Sequence, residues 1–261
     1  MNSVALVTGS TSGIGKSFAE KLAEENNNLI LVSRDATKLE KQAEELSKKY
    51  EIQVFVIATN LALPGSSKKV FKAVQALGLS VQLLINNAGF NEYGSFLESN
   101  AEKENEMISL HIICTTEMMK LFIPDMINNG GGYILNLGST GSYIPCPYDA
   151  VYSATKAYIL HLSKGVNAEL NKTGVSVTTL CPGSTRTEFA TKAGMENTLL
   201  FKFFVMSPDI VANIGYKALM KRKVSVIPGI YNKILVLSSK MMPTKIIDFM
   251  TKKMLGTRKS F

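Results

Sequence analysis

The chain has 261 residues, of which 46% are hydrophobic and 19% charged, so it suits one large domain or two small ones and is not a disordered chain. Its net charge of +8 at pH 7 is compatible with nucleic acid, an anionic membrane surface or an anionic cofactor. The sequence contains no stripe of lysine and arginine with interleaved aromatic residues, so we expect no nucleic-acid partner.

The three cysteines, Cys114, Cys146 and Cys181, are odd in number and far apart, which argues against a disulfide framework and a zinc site. We therefore expect a reducing compartment and no bound metal. The N-terminal stretch MNSVALVTGS becomes polar too quickly for a signal peptide, and no run of about 18 apolar residues is present to span a membrane. These features predict a cytoplasmic protein without a transmembrane segment.

Short apolar runs alternate with longer segments of helical periodicity. The runs predict buried strands at 4–9, 28–33, 54–59, 83–89, 133–139 and 175–183. The helical patterns between them cover 13–26, 36–50, 65–77, 101–128 and 150–172. This alternation predicts an α/β fold, a Rossmann-type doubly wound parallel sheet with helices on both faces. No linker rich in Pro, Gly and Ser divides the chain, so we expect a single domain over residues 1–261.

The stretch TGSTSGIG (8–15) follows the first predicted strand and opens the first predicted helix. Glycines allow a tight turn and a close approach of the backbone to a ligand, and a helix N-terminus attracts a pyrophosphate. The spacing G-x-x-x-G-x-G differs from the G-x-G-x-x-G of the common dinucleotide fingerprint. We predict a dinucleotide site here; the alternative is a tight turn that binds nothing.

The second predicted strand ends at Ser33 and is followed by Arg34, where dinucleotide folds often carry an acid for the ribose hydroxyls. A guanidinium can bind the extra phosphate of NADP through two hydrogen bonds, and Ser33 adds no repulsive charge. We therefore predict NADP(H) in preference to NAD(H), with Asp35 turned away from the site. The alternative is that Arg34 only pairs with a nearby carboxylate.

Five motifs, in order and at matching spacing, resemble the short-chain dehydrogenase/reductase family over nearly the whole chain. They are TGSTSGIG at 8–15, NNAG at 86–89, Ser139 after the fifth strand, YSATK at 152–156 and PGSTRT at 182–187. The stretches GIGKSFAEKLAE, LVSRD and DAVYSATKAYI look most similar to the branch that contains hydroxysteroid dehydrogenases and long-chain 3-ketoacyl reductases.

The resemblance implies that Tyr152 is the catalytic acid/base, Lys156 its electrostatic partner and Ser139 the hydroxyl that holds the substrate carbonyl. The chemistry agrees, because a ketone that receives hydride develops negative charge on oxygen and needs a proton donor. Lys156 lies one helical turn after Tyr152 and is expected to lower the tyrosine pKa. His111 stands where relatives usually carry the asparagine of a proton relay. It is either a relay group or a structural histidine.

The resemblance also assigns the cofactor site. NNAG supports the sheet and lines the adenosine side, and the loop at 182–187 meets the nicotinamide. Asn60 and Leu61 replace the usual Asp-Leu pair after the third strand, where Asn can still accept a hydrogen bond from the adenine amino group. The predicted cofactor-binding residues are Gly9, Ser10, Ser12, Gly13, Ile14, Gly15, Ser33, Arg34, Asn60, Leu61, Asn87, Ala88, Gly89, Tyr152, Lys156, Pro182, Gly183, Thr185 and Thr187.

Residues 186–206 correspond in the family to a mobile substrate lid. Their Phe, Leu and Met content favours an apolar substrate, steroid-like or 3-oxoacyl-like, unless these side chains pack as core. Candidates for contact with a charged head group are Arg186, Lys192 and Lys202. The basic helical extension at 230–261 is divided by Pro243 into two helices. It is suited to an anionic membrane surface, to covering the cleft or to packing against another subunit.

Together these features predict an NADP(H)-dependent oxidoreductase that transfers hydride between the nicotinamide and an apolar ketone or secondary alcohol. The alternative is an NADP(H)-binding regulator or sensor with little catalysis. Relatives are commonly dimers or tetramers through the helices that correspond to 101–128 and 150–172, so we expect a homodimer or homotetramer. Peripheral contact with a membrane is left open.

Overall fold

Seven parallel strands form one sheet in the order β3-β2-β1-β4-β5-β6-β7. The computed structural model describes residues 3–202 and 205–256. The strands are β1 (Val4–Thr8), β2 (Asn28–Ser33), β3 (Val54–Ala58), β4 (Val81–Asn86), β5 (Gly132–Leu137), β6 (Val175–Leu180) and β7 (Ser225–Val226). The strand order reverses between β1 and β4, which opens a crevice at the carboxyl ends of these strands.

Within the described residues, eleven α-helices and one π-helical turn lie between the strands and after the last strand. The helices before β6 are α1 (Gly13–Glu24), α2 (Ala36–Tyr50), α3 (Ser66–Ala76), α4 (Ala101–Ile108), α5 (Thr115–Asn128) and α6 (Ala150–Glu169). Those after β6 are α7 (Glu188–Lys192), α8 (Leu199–Lys202), α9 (Pro208–Met220), α10 (Ile230–Ser239) and α11 (Thr244–Leu255). The π-helical turn, Ser109–Cys114, joins α4 to α5.

Each face of the sheet has its own apolar core. Phe18 of α1 and Val211 of α9 pack on one face, where both side chains are fully buried. Val70 of α3 and Phe122 of α5 pack on the other. Because both faces are covered, the central strands read as continuous apolar runs rather than alternating ones. The three cysteines are free, as predicted.

The predicted α/β fold class is confirmed, and all six predicted strands and five helical stretches are present. The strands predicted to reach 89, 139 and 183 end at Asn86, Leu137 and Leu180, because the Asn, Gly, Ser and Pro residues that follow form the loops of the site. The prediction missed α9 and β7. The pattern of α9 is weakened by Gly215, whose missing side chain admits Phe18 and Leu180.

The predicted break at Pro243 is present, since it lies between α10 and α11. The residues at 257–261 of the basic extension and 203–204 of the predicted lid lie outside the described residues, as does the side chain of Lys202. The single-domain boundary at 1–261 stays a prediction.

One helical stretch in the described residues, 101–128, has the length and mean hydropathy (1.2) that a membrane crossing requires. The core helix of a soluble protein meets the same criterion, and Met118, Met119 and Phe122 of this stretch are buried against the sheet. The predicted absence of a transmembrane segment therefore stays a prediction.

Candidate active site

The helix that carries Tyr152 and Lys156 is tied to the central sheet by polar contacts. The Lys156 ammonium donates a hydrogen bond to the carbonyl oxygen of Leu137, the last residue of β5 (2.9 Å). Further along α6, Ser163 Oγ accepts from Asn136 Nδ2 of β5 (2.8 Å). These bonds fix the start of α6 at the carboxyl edge of the sheet.

Ser139 follows β5 and begins a short 3₁₀ turn, Thr140–Ser142. Its hydroxyl oxygen accepts a hydrogen bond from the backbone N–H of Gly141 (3.1 Å), and its own N–H donates to Ser142 Oγ (3.1 Å). A hydroxyl that accepts from the backbone still has its own proton to donate. Ser139 therefore keeps a hydroxyl proton to donate, and its hydrogen-bonding influence lowers the Tyr152 pKa.

The acidity of Tyr152 is set chiefly by burial. Burial raises the tyrosine pKa, the charge of Asp149 raises it further, and the hydrogen bond from Ser139 lowers it. The Lys156 ammonium lies 5.5 Å from the ring centroid, and burial lowers the Lys156 pKa to about 8. The net shift of the Tyr152 pKa is upward. Tyr152 is consequently a protonated acid near neutral pH. The prediction that the Lys156 ammonium lowers this pKa stays a prediction.

His111 lies in the π-helical turn, which points its imidazole inward toward Tyr152; the two ring centroids are 5.8 Å apart. Its Nδ1 is 2.9 Å from Thr155 Oγ1, and that hydroxyl donates to the carbonyl oxygen of Tyr152 (2.7 Å). Since Thr155 has only one proton, His111 Nδ1 must carry the proton of the His–Thr hydrogen bond. The pKa of His111 is well below its usual value because the ring is buried and Lys156 is near.

The neutral His111 ring therefore presents an unprotonated Nε2 to the site. This atom is buried and has no hydrogen-bond partner among the described residues. It faces Gly89 of the NNAG segment so closely that a Cβ at that position would lie 2.6 Å from Nε2. Such a buried acceptor is available for a bound water or ligand hydroxyl.

Sequence reasoning missed Asp149, a buried acid that precedes α6. Burial raises its pKa to about 7, and a hydrogen bond from Asn91 opposes this. The Oδ1 atoms of Asp149 and Asn91 are buried without partners in the part of the chain that the structure describes. The available signal was spacing, since Asp149 is the residue before α6 and lies three positions before Tyr152.

The glycine loop forms a cradle at the start of α1. Gly9 has a φ of +64°, and a Cβ on Gly15 would lie 2.1 Å from the Gly9 carbonyl oxygen, so neither position accepts another residue without strain. Asn87 Nδ2 holds the loop by donating to that same carbonyl (3.1 Å). Ser12 precedes α1 without capping it, and the buried hydroxyl of Ser10 has no partner among the described residues. This helix end fits an anionic group.

The region after β2 suits a phosphate. Arg34 is exposed, and its side chain forms no salt bridge or hydrogen bond within residues 3–202 and 205–256. Asp35 is turned away, as expected, because its carboxylate caps α2 by accepting from the N–H of Lys38 (3.0 Å). Ser33 Oγ lies 3.1 Å from Thr11 Oγ1, which joins this position to the glycine loop.

The remaining predicted cofactor residues have different surroundings. Asn60 uses its carbonyl oxygen to accept from the N–H of Ala62 (3.1 Å), which leaves its amide N–H groups for a ligand. Leu61 and Ile14 contribute side chains to the two cores. Ala88 donates its N–H to Thr8 Oγ1 (3.0 Å) and so supports β1.

The loop that begins at Pro182 brings the predicted lid over the site. The methyl group of Thr187 lies close to Gly13, and Thr185 forms a bridge to Met206. The Phe189 ring of α7 lies 5.7 Å from the Tyr152 ring, centroid to centroid, at an interplanar angle of 56°. A larger residue at position 183 would clash with α10, because a Cβ on Gly183 would lie 2.3 Å from Asn232 Oδ1.

Part of the predicted lid packs as a small core of its own. Ala190 and Met195 are buried against Leu255 of α11. Among the candidates for a charged head group, Lys192 is paired with Glu188 (2.6 Å), and Arg186 is exposed. Of the apolar lid residues, Phe189 therefore lies beside Tyr152, Ala190 and Met195 belong to the small core, and Met206 packs against a main core.

Residues 3–198 match the model of the family described as short chain dehydrogenase. The chain belongs to this family. Human very-long-chain 3-oxoacyl-CoA reductase is 33% identical over 190 residues, which cover 71% of this short-chain dehydrogenase and 60% of that protein. The chain thus spans about 60% of the length of the curated relatives it matches.

Two solved structures resemble this short-chain dehydrogenase over most of its length. A short-chain dehydrogenase from Sphingobium yanoikuyae in complex with NADPH has a TM-score of 0.81 and 29% identity, covering 92% of this chain and 93% of that one. A 7beta-hydroxysteroid dehydrogenase has a TM-score of 0.85 and 25% identity, covering 95% and 96%. The predicted likeness to the hydroxysteroid dehydrogenase and 3-ketoacyl reductase branch is confirmed.

Replacing Gly15 with alanine tests the cradle. We expect Gly15→Ala to lower the free energy of unfolding by about 1–3 kcal/mol because the new methyl group overlaps the Gly9 carbonyl. Gly165→Ala on α6 is the matched control. A Cβ there meets nothing within 4 Å, and alanine favours helix by roughly 1 kcal/mol. Thermal unfolding and NADPH titration of both variants measure the effect. A Gly15→Ala protein as stable as Gly165→Ala would contradict the close approach of Gly15 to the Gly9 carbonyl oxygen.

Proposed function

We propose that this chain is an NADP(H)-dependent oxidoreductase that transfers hydride between the nicotinamide and an apolar ketone or secondary alcohol. The observation that carries the proposal is the group formed by half-buried Ser139 and Tyr152 with buried Lys156, which stands at the carboxyl edge of the sheet beside the glycine cradle. Family membership supports the same reaction class.

The cofactor proposal rests on surroundings that fit a phosphorylated dinucleotide. The uncapped start of α1 suits the pyrophosphate, and exposed Arg34 beside Ser33 suits the additional phosphate of NADP. NADPH is bound in the Sphingobium yanoikuyae relative. When bound, the cofactor supplies the hydride, and the protein supplies position and electrostatic field.

In the proposed reduction, Tyr152 gives its phenolic proton to the carbonyl oxygen of the substrate as negative charge develops there. Ser139 donates a second hydrogen bond to the same oxygen. The Lys156 ammonium then stabilises the phenolate that is left, since opposite charges attract strongly in a buried site. Tyr152 is protonated at neutral pH and so has a proton to donate, although its raised pKa makes it a weaker acid until Lys156 stabilises the phenolate.

We assign His111 a relay role as part of this proposal. Its Nε2 is an acceptor held by the tautomer that Thr155 imposes, and it lies near Lys156, whose charge lowers the histidine pKa. A water bound at Nε2 provides a route for the proton that restores Tyr152. His111 would thereby replace the asparagine usual at this position.

The substrate proposal rests on the surface beside Tyr152. Phe189 supplies an apolar ring beside Tyr152, and apolar pockets favour apolar ligands that are oriented by few polar groups. The relatives named for 3-oxoacyl-CoA and for a hydroxysteroid support a steroid-like or 3-oxoacyl-like compound.

A homodimer or homotetramer and a cytoplasmic location remain proposals. Exposed apolar side chains on the two long helical stretches, Ile113, Ile127 and Tyr158, support association through this face.

Tyr152→Phe tests the proton donor. We expect NADPH-dependent reduction of apolar ketones to fall by about 100-fold or more, because the change removes only the hydroxyl of the general acid. NADPH affinity should stay close to that of the wild type. Tyr158→Phe, an exposed tyrosine on the same helix, is the control and should keep full turnover.

The same assay separates the two functions. A wild type that binds NADPH but reduces none of a panel of steroid, aryl and 3-oxoacyl ketones would favour the regulator. Wild-type turnover in Tyr152→Phe would show that another group donates the proton.

Arg34→Ala tests the cofactor preference. Loss of a charge-assisted hydrogen-bond pair should raise the Kd for NADPH by roughly 10-fold to 100-fold and leave the Kd for NADH unchanged. Fluorescence titration of both cofactors measures this, with Lys41→Ala, an exposed lysine of α2, as the control. Equal loss of both cofactors, or a wild type that prefers NADH, would contradict the assignment.

A further inference from the structure

The last two helices leave a large apolar face in water. On α10, Ile230, Ile234 and Leu237 lie at i, i+4 and i+7, and the first and last of these are 73% and 63% exposed. Met241, between the helices, is 81% exposed, and Phe249 of α11 is 68% exposed. We call this set, together with Ile246 and Met250, the C-terminal face. Exposed apolar side chains concentrated in one segment in this way are typical of a binding surface.

The charges around the C-terminal face are almost all positive. Exposed lysines occur at five positions of 230–256, and the only acid in that range is Asp248. None of these lysines forms a salt bridge within the described residues. The five are Lys233, Lys240, Lys245, Lys252 and Lys253. Lys240 also lies 5.5 Å from the centroid of the Tyr143 ring. Apolar side chains flanked by lysines that have no acidic partner suit a surface that is both apolar and anionic.

The inner sides of the same helices face the candidate active site. The Tyr93 hydroxyl donates to the carbonyl oxygen of Leu255, and Leu255 packs on the lid. A cavity of about 170 Å³ lies between the nicotinamide loop and these helices, and its walls include Gly183, Leu200 and Leu235. The helices thus cover the cleft on one side and carry the C-terminal face on the other.

We propose that the C-terminal face docks on an anionic lipid bilayer, so that an apolar substrate passes from the lipid into the cavity beside the lid. The substrate part rests on the proposed function; the docking part does not. A second copy of the chain is a poorer occupant, because a twofold interface would bring the same lysines against one another.

Vesicle flotation of the full chain tests the docking. We expect the wild type to float with vesicles of phosphatidylcholine and phosphatidylserine at low salt, and much less with phosphatidylcholine alone. Lys240→Gln/Lys252→Gln should weaken partitioning by roughly 30-fold, since each lysine near an anionic surface contributes about a fivefold factor. Leu237→Ser/Phe249→Ser should also float poorly.

Two controls, one double and one single variant, use similar side chains outside this face. Lys41→Gln/Lys48→Gln removes two exposed lysines of α2, and Leu97→Ser removes an apolar side chain that is highly exposed. Both should float like the wild type. Equal loss in the controls, or absence of flotation at low salt, would overturn the docking.

Two further measurements separate the competing explanations. Sedimentation of Leu237→Ser/Phe249→Ser should give the wild-type mass; a fall to the monomer would assign the face to a second copy and overturn the bilayer proposal.

Turnover of a water-soluble ketone without vesicles should be equal in all variants. Its absence in every protein would count against the proposed function, whereas normal turnover without flotation would count against docking alone.

Discussion

The hydrogen bond from the Lys156 ammonium to the Leu137 carbonyl oxygen is the contact on which the site depends. A carbonyl at the end of a central strand needs a partner when it is buried, and a buried ammonium needs acceptors. Each group satisfies the other, and the bond fixes α6 against the edge of β5. Tyr152 and Ser139 are then held within hydrogen-bond reach, one from the helix and one from the strand end.

The active site keeps several polar atoms that a purely structural core would not tolerate. His111 Nε2, Asp149 Oδ1 and Asn91 Oδ1 are buried without partners among the described residues. Each such atom costs stability unless a ligand or water satisfies it. These atoms lie near Tyr152 at the open end of the sheet. This is the pattern expected where a binding site lowers the stability of the folded protein. The π-helical turn that directs His111 inward belongs to the same pattern.

Much of the fold and of the site was predictable from the sequence, because strong local signals agreed with one another. Apolar strand runs, Gly15 in the glycine loop and the Tyr152–Lys156 spacing all follow from short-range geometry. The pKa of Tyr152 was not predictable, since it depends on how deeply the tertiary structure buries the ring. Asp149 was missed for the same reason, because its unusual surroundings include Asn91, which is distant in sequence. The outward face of α10 also required the tertiary structure.

The most direct test of this account is the single-turnover rate of NADPH oxidation by an apolar aryl ketone in Lys156→Met. Methionine retains much of the side-chain volume and removes the ammonium. Lys164→Met, an exposed lysine on the same helix, is the control. We expect the rate in Lys156→Met to fall to about one hundredth of the wild-type rate or below, as for loss of acid–base assistance. The rate in Lys164→Met should stay close to that of the wild type. A folded Lys156→Met protein that binds NADPH and reacts at the wild-type rate would contradict it.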